Sequence, residues 1–299
     1  MSVGRPAALL LALMLALVGC SGGTGNRDLV VGSRPDGDSK LLAAIYVAAL
    51  RSYGFAAHSE SAEDPMGKLD SAAFVVVPGY TGRVLQTLQP GAVGQPGPTA
   101  HPGAADRSDD SPNADAPVYR AMNAALPEGI AAGDYATAAE DKPVLIVTGA
   151  TAAAWGGNDL SLLLGHCDGL RIGSVAGRRP PMTVGPCRLP AAREFADDAT
   201  MFAALRAGEL TAAWATTADP GVPADLVALA DGKPALIQAE NVVPLYRRNV
   251  LSTRQLLAIN EVAGVLDTEA LAEMRRKVAA GANPQVVADA WLGEHPLGR

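Results

Sequence analysis

Aromatic residues are scarce in this chain: 3 Trp, 6 Tyr and 4 Phe among 299 residues. Histidine is scarcer still, and His58, His101, His166 and His295 are scattered without metal-ligand spacing, so no metal centre is expected. No cluster of Lys or Arg interrupts an acidic chain of net charge -7, which removes the footprint of a nucleic-acid binder. Catalytic signatures are missing too. The glycines of "VLIVTGATAAAWGG" follow a strand but lack the G-x-G-x-x-G spacing of a dinucleotide fold. "GHCDG" has the spacing of a nucleophile elbow, yet a helix precedes it and a strand follows, the reverse of what that motif requires. No enzyme activity and no cofactor are expected.

The ends carry signals of their own. "MSVGRPAALLLALMLALVGC" has one basic residue, then an apolar run too short to span a bilayer, the form of a secretory signal over residues 1–20. Leu17-Val18-Gly19-Cys20 resembles a bacterial lipobox, which implies lipidation at Cys20; the alternative is an ordinary cleavage site beside an unrelated cysteine. Residues 21–27, "SGGTGNR", read as a flexible tether. These features place the folded part outside the cytoplasm, held to the membrane by lipid alone. In an oxidising compartment the two remaining cysteines, Cys167 and Cys187, suggest a disulfide, against two free buried thiols.

Between the ends, strands alternate with helices. "LVV" at 29–31 turns at Gly32-Ser33, and "SKLLAAIYVAALRSYGF" carries an apolar stripe at 41, 42, 45, 46, 49 and 50, closed by Gly54. "FVVV" at 74–77 reads as a buried strand stopped by Pro78-Gly79, with Tyr80 just beyond. The simplest reading of Tyr80 is a ring capping a core with its hydroxyl in water. Residues 89–117 are Pro-, Gly-, Ala-, Ser- and Asp-rich with almost nothing to bury, and read as a mobile insertion. Later come "KPVLIVTG", "LRIGSV" and "LTAAWATT" as strands, then a helical tail whose last two helices have Thr268 and Asn283 as expected caps. The pattern is α/β with largely parallel sheets.

"VVGSR", "PGYTG", "MFAALRAGELTAAWATTAD" and "NVVPLYRRNVL", in this order over about 200 residues, resemble the glycine betaine/choline/carnitine (osmoprotectant) binding lipoproteins of ABC transporters. That resemblance implies a two-lobed, type II periplasmic-binding-protein-like fold with a two-segment hinge. Lobe 1 would be 28–147 plus 242–299, and lobe 2 would be 148–241. It also implies a monomer that binds a small solute in the cleft and delivers it to an ABC permease. Tyr80 becomes one wall of an aromatic cage, and Arg34, beside Ser33, an anion clamp. Arg188 becomes the second-lobe arginine, with Thr81, Trp214, Thr217, Asp219 and Asn241 nearby.

The chain departs from the family pattern where other cage rings belong. Lys142-Pro143 and Glu240 stand at two tyrosine positions, and Arg83 replaces a threonine. Glu240 reads either as a solvated loop carboxylate or, with Arg34 and Arg83, as part of a polar cleft. A polar cleft favours hydrogen-bonding solutes over a quaternary amine. A second expectation is a binding-protein fold repurposed as an envelope interaction or regulatory module without a transporter.

Overall fold

A computed structural model describes residues 28–91 and 115–298. The leader, Cys20, the tether and the middle of the 89–117 segment lie outside the described residues. From the N-terminal side the chain forms β1 (Leu29–Ser33), α1 (Gly37–Ser52), β2 (Ala57–Ser61), α2 (Pro65–Asp70), β3 (Val76–Tyr80) and α3 (Thr81–Leu88). It resumes with α4 (Asp115–Ala125) and β4 (Ile130–Ala132). Asp115–Pro117, expected inside the insertion, therefore start a helix. Pro117 is tolerated there because first-turn N–H groups have no intrahelical partner.

A second unit follows: β5 (Pro143–Thr148), α5 (Gly149–Trp155), a 3-10 turn (Leu160–Gly165), β6 (Ile172–Val175), β7 (Thr183–Val184), β8 (Cys187–Arg188) and β9 (Arg193–Phe195). It ends with α6 (Asp198–Arg206), β10 (Ala212–Thr216) and β11 (Leu226–Ala228). The chain then returns through β12 (Val242–Arg247) and closes with α7 (Thr253–Val265), α8 (Thr268–Ala279) and α9 (Pro284–Glu294).

Two five-stranded sheets result, ordered β2-β1-β3-β12-β4 and β11-β5-β10-β6-β9. Neither is purely parallel. In each, the strand that enters straight from the hinge runs against its neighbours: β12 is antiparallel to β3 and β4, and β5 to β10 and β11. β1 is parallel to β2 and β3, and β6 to β9 and β10, so these strands end toward the other lobe. β5 pairs with the second sheet from Pro143 onward, which moves the first crossing to Glu140–Lys142, ahead of the expected boundary at 147. The two crossings touch: Glu140 and Asn241 form an antiparallel bridge, and Asp141 N–H donates to the Glu240 carbonyl at 2.9 Å.

Apolar clusters cover the two faces of each sheet. α1 is the centre of the largest. Every residue from Leu41 to Leu50 is buried, so the apolar stripe is only part of a helix enclosed all round by the sheet, α7, α8 and α9. β3 also differs from expectation, since it continues through Pro78-Gly79 to Tyr80. Proline ends a strand where its absent N–H is needed. Here Pro78 stands opposite Pro244, whose carbonyl is taken from the other side by Gly133 N–H. At α8 the cap is Asp267, which accepts from Ala270 N–H, with Thr268 as the first helical residue. Asn283 caps α9 as expected, followed by Pro284. Cys167 and Cys187 are disulfide-bonded, with Cα atoms 5.6 Å apart.

Candidate functional site: the cleft between the two sheets

A cavity of about 560 Å³ lies between the lobes, beyond the carboxyl ends of the parallel strands. Its first-lobe wall is Asp38 from α1, Arg83 and Gln86 from α3, Glu240, and Arg275 from α8. Its second-lobe wall is Pro143, Ser174, the Gly177–Pro180 loop after β6, Trp214–Thr216 of β10, Asp219 and Pro220. Asp141, from the hinge, joins the two.

Arg275 organises the first wall. Its guanidinium donates to Asp38 Oδ1 at 2.7 Å, Asp141 Oδ1 at 2.6 Å and the Tyr80 hydroxyl at 2.6 Å. It also reaches across the hinge to the Ala218 carbonyl at 3.1 Å. Thr268 and Arg275 are seven residues, two turns, apart and so share a face of α8. The Thr268 hydroxyl donates to Ala138 O and accepts from Glu140 N–H, which docks that face on the first crossing. Burial opposes the Arg275 charge, but Tyr80, Asp141 and Asp38 outweigh it and hold the group firmly protonated. Burial raises the pKa of Asp38 despite Arg275. For Asp141 burial acts the same way, yet Arg275 and Arg83 prevail and hold it below its ordinary value.

Tyr80 is 4% exposed and its hydroxyl donates to the Asp38 carboxylate at 3.2 Å. Its ring face is covered. The Arg83 guanidinium lies 4.4 Å from the ring centroid, fixed by the Asp141 carboxylate at 2.5 Å and the Asp141 carbonyl at 3.2 Å. Glu240 is buried beneath, where its carboxylate accepts from Arg83 N–H at 2.9 Å and from Gly82 N–H. Burial pushes its pKa up to about 7. On the opposite wall, Arg178 makes a two-pronged contact with Asp198, at 2.8 Å for each prong, and pairs with Asp219 at 3.1 Å. Arg179 and Gln86 line the cavity with no side-chain partner among the described residues.

Of the residues singled out in the sequence, Arg83, Trp214, Asp219 and Glu240 line the cavity. Tyr80 lies behind Arg83. Thr81 and Asn241 are hinge ties: the Thr81 hydroxyl donates to Ala239 O at 3.3 Å and accepts from Asn241 N–H at 3.1 Å. Thr217 has the same task, accepting from Lys142 N–H and donating to Glu140 O, both at 3.0 Å. Ser33 is buried and shares a hydrogen bond with Ser61 at 2.9 Å. Arg34 is exposed on the loop after β1 and Arg188 is exposed in β8; neither lines the cavity. The guanidinium nearest the Tyr80 hydroxyl is that of Arg275, at 2.6 Å. Asp38, Asp141, Arg178 and Arg275 carry no local sequence signal, because their partners lie up to 237 residues away. Among the described residues no group of His, Cys, Asp or Glu could hold a metal ion, and no helix is long and apolar enough to cross a membrane.

Residues 187–294 match the family OpuAC, the substrate binding domain of ABC-type glycine betaine transport systems. No curated protein matches the sequence. Among solved structures, apo YehZ from Escherichia coli has a TM-score of 0.63 at 17% identity, over 90% of this chain and 99% of that one. A glycine betaine/carnitine/choline ABC transporter structure gives 0.66 at 16%, over 90% and 98%. An ABC-transporter choline binding protein in complex with choline gives 0.54 at 16%, over 90% and 89%. Matched in sequence over residues 187–294 and in fold over nine-tenths of its length, the chain is similar to the substrate-binding proteins of ABC-type glycine betaine, carnitine and choline transport.

Proposed function

We propose that this protein is an extracytoplasmic solute receptor of an ABC importer, tethered by lipid at Cys20, that closes its two lobes on a small polar or zwitterionic solute and presents it to a permease. The observation that carries the reading is a cavity bounded by both sheets, with the only two chain crossings among the described residues packed as a hinge beside it. Hinged lobes of this kind close around ligand. The OpuAC match and the likeness to transporter binding proteins support a small solute as the cargo.

The lining argues against glycine betaine itself as a tight ligand. Trp214 is the only aromatic residue among the described residues that line the cavity. A quaternary ammonium held by rings gains about 0.5–2 kcal/mol from each, so losing three walls at about 1 kcal/mol each weakens binding by about a hundredfold. Glycine betaine is expected to bind with a Kd weaker than about 0.1 mM. The test is a calorimetric screen of betaine, choline, carnitine, amino acids, sugars and polyols, with small-angle scattering on every compound that binds. Saturable heat with a fall in radius of gyration supports the receptor reading. Absence of binding and compaction across the screen contradicts it and favours the interaction module.

A further inference from the structure

The cleft is already furnished with a cation. Arg83 sits on the Tyr80 ring at 4.4 Å, and Tyr80 has no surface on the cavity while Arg83 does. A planar guanidinium on a ring face satisfies the attraction that a bound cationic headgroup would otherwise satisfy. Asp141 pins it there through both its carboxylate and its carbonyl.

Each aspartate in the cavity wall already has a guanidinium within 3.1 Å. Asp38 is paired with Arg275, Asp141 with both Arg83 and Arg275, and Asp219 with Arg178, which it shares with Asp198; Asp219 Oδ2 accepts no hydrogen bond. Glu240 is committed to the first N–H groups of α3. Donors, in contrast, remain. Arg179 is exposed with no partner among the described residues, and only one terminal nitrogen of Arg83 is engaged with Asp141. Free guanidinium donors beside carboxylates that are already paired suit an anion.

We infer that Arg83 is the specificity-determining residue of this cleft: its guanidinium fills the Tyr80 ring face, shuts out cationic headgroups, and leaves a site for a small organic anion received by Arg83 and Arg179. The inference rests on the solute-receptor reading and names the charge class of the solute.

The experiment titrates the full chain with choline, glycine betaine and succinate, three small probes of formal charge +1, 0 and about -2, by calorimetry. The parent is expected to prefer succinate. Arg83→Ala removes the nearer guanidinium from the Tyr80 ring, with Arg275 remaining at 5.8 Å from its centroid and still paired with Asp141. It is expected to tighten choline binding about two- to thirtyfold while weakening succinate about tenfold. Arg83→Lys keeps the positive charge and is expected to keep choline out, which guards against a general loosening of the alanine variant. Circular dichroism checks that both variants are folded. A parent that binds choline more tightly than succinate overturns the inference and leaves the receptor reading intact. So does an unaltered choline affinity in Arg83→Ala. Binding of none of the three probes by the parent also overturns the anion assignment, and the broader solute screen then decides the receptor reading separately.

Discussion

Glu240 does at the start of α3 what Tyr80, the residue in the cap position, does not do: it accepts the N–H groups of Gly82 and Arg83. Its burial sets a pH dependence. The pKa rises from 4.5 in the unfolded chain to about 7 in the folded one. Between those values the native state keeps a proton that the unfolded state has released, so this group's contribution to stability falls as pH rises through the window. Glu240→Gln retains an acceptor and cannot ionise. Its stability relative to the parent should grow from about pH 4.5 to about pH 7, by something on the order of 3 kcal/mol. Urea midpoints at the two ends of the window measure this, and parallel profiles for parent and variant would contradict it. Gly82 is fixed by the same contact. A Cβ there would meet the Ala239 carbonyl and Glu240 Oε1, each at 2.7 Å. Gly82→Ala should therefore cost about 1–3 kcal/mol, read from the same denaturation curves.

At the scale of elements, the disulfide ties the end of the 3-10 turn to β8 and closes a loop of twenty residues. Replacing Cys167 and Cys187 together by serine should lower stability by about 3 kcal/mol in the chain-entropy account. An unchanged denaturation midpoint would contradict that. The disulfide, the buried run of β5 and the stripe of α1 were legible because each is local: two cysteines, a Val/Leu/Ile run, a helical period. β2, "AHSES", was not, since an exposed edge strand has no apolar pattern and is held by its register with β1. β3 was cut short because Pro78-Gly79 reads as a turn until Pro244 is set opposite. The site suffered most. Tyr80 and Glu240 could be named from the sequence, but that Arg83 covers the ring depends on Asp141 coming from the hinge. That Arg275 binds Asp38 depends on α8 docking beside α1. Nothing in "AEMRRKVAA" distinguishes that arginine from its neighbour Arg276, which is exposed.

On the scale of the whole molecule, Arg275 is the contact that binds α1, β3, the hinge and the second lobe together. Arg275→Met keeps most of the apolar stem and deletes the charge. It leaves Asp38 and the Tyr80 hydroxyl without their guanidinium and Asp141 with Arg83 alone. Breaking a buried pair on one side costs about 3–5 kcal/mol, so the variant should melt markedly earlier and, below its melting point, show faster amide exchange at Asp141 and Ala218. Loss of stability without local exchange at the hinge would assign Arg275 to packing alone.

Trp214 offers the most direct test of a solute held between the lobes, since it lines the cavity from β10 while Trp155 and Trp291 do not. With Trp155 and Trp291 replaced by Phe, fluorescence reports Trp214 alone. The account predicts a saturable change in Trp214 emission on titration with any solute that binds, with the same Kd as calorimetry. Calorimetric binding that leaves Trp214 emission unaltered would place the solute elsewhere and contradict a cleft that closes on its cargo.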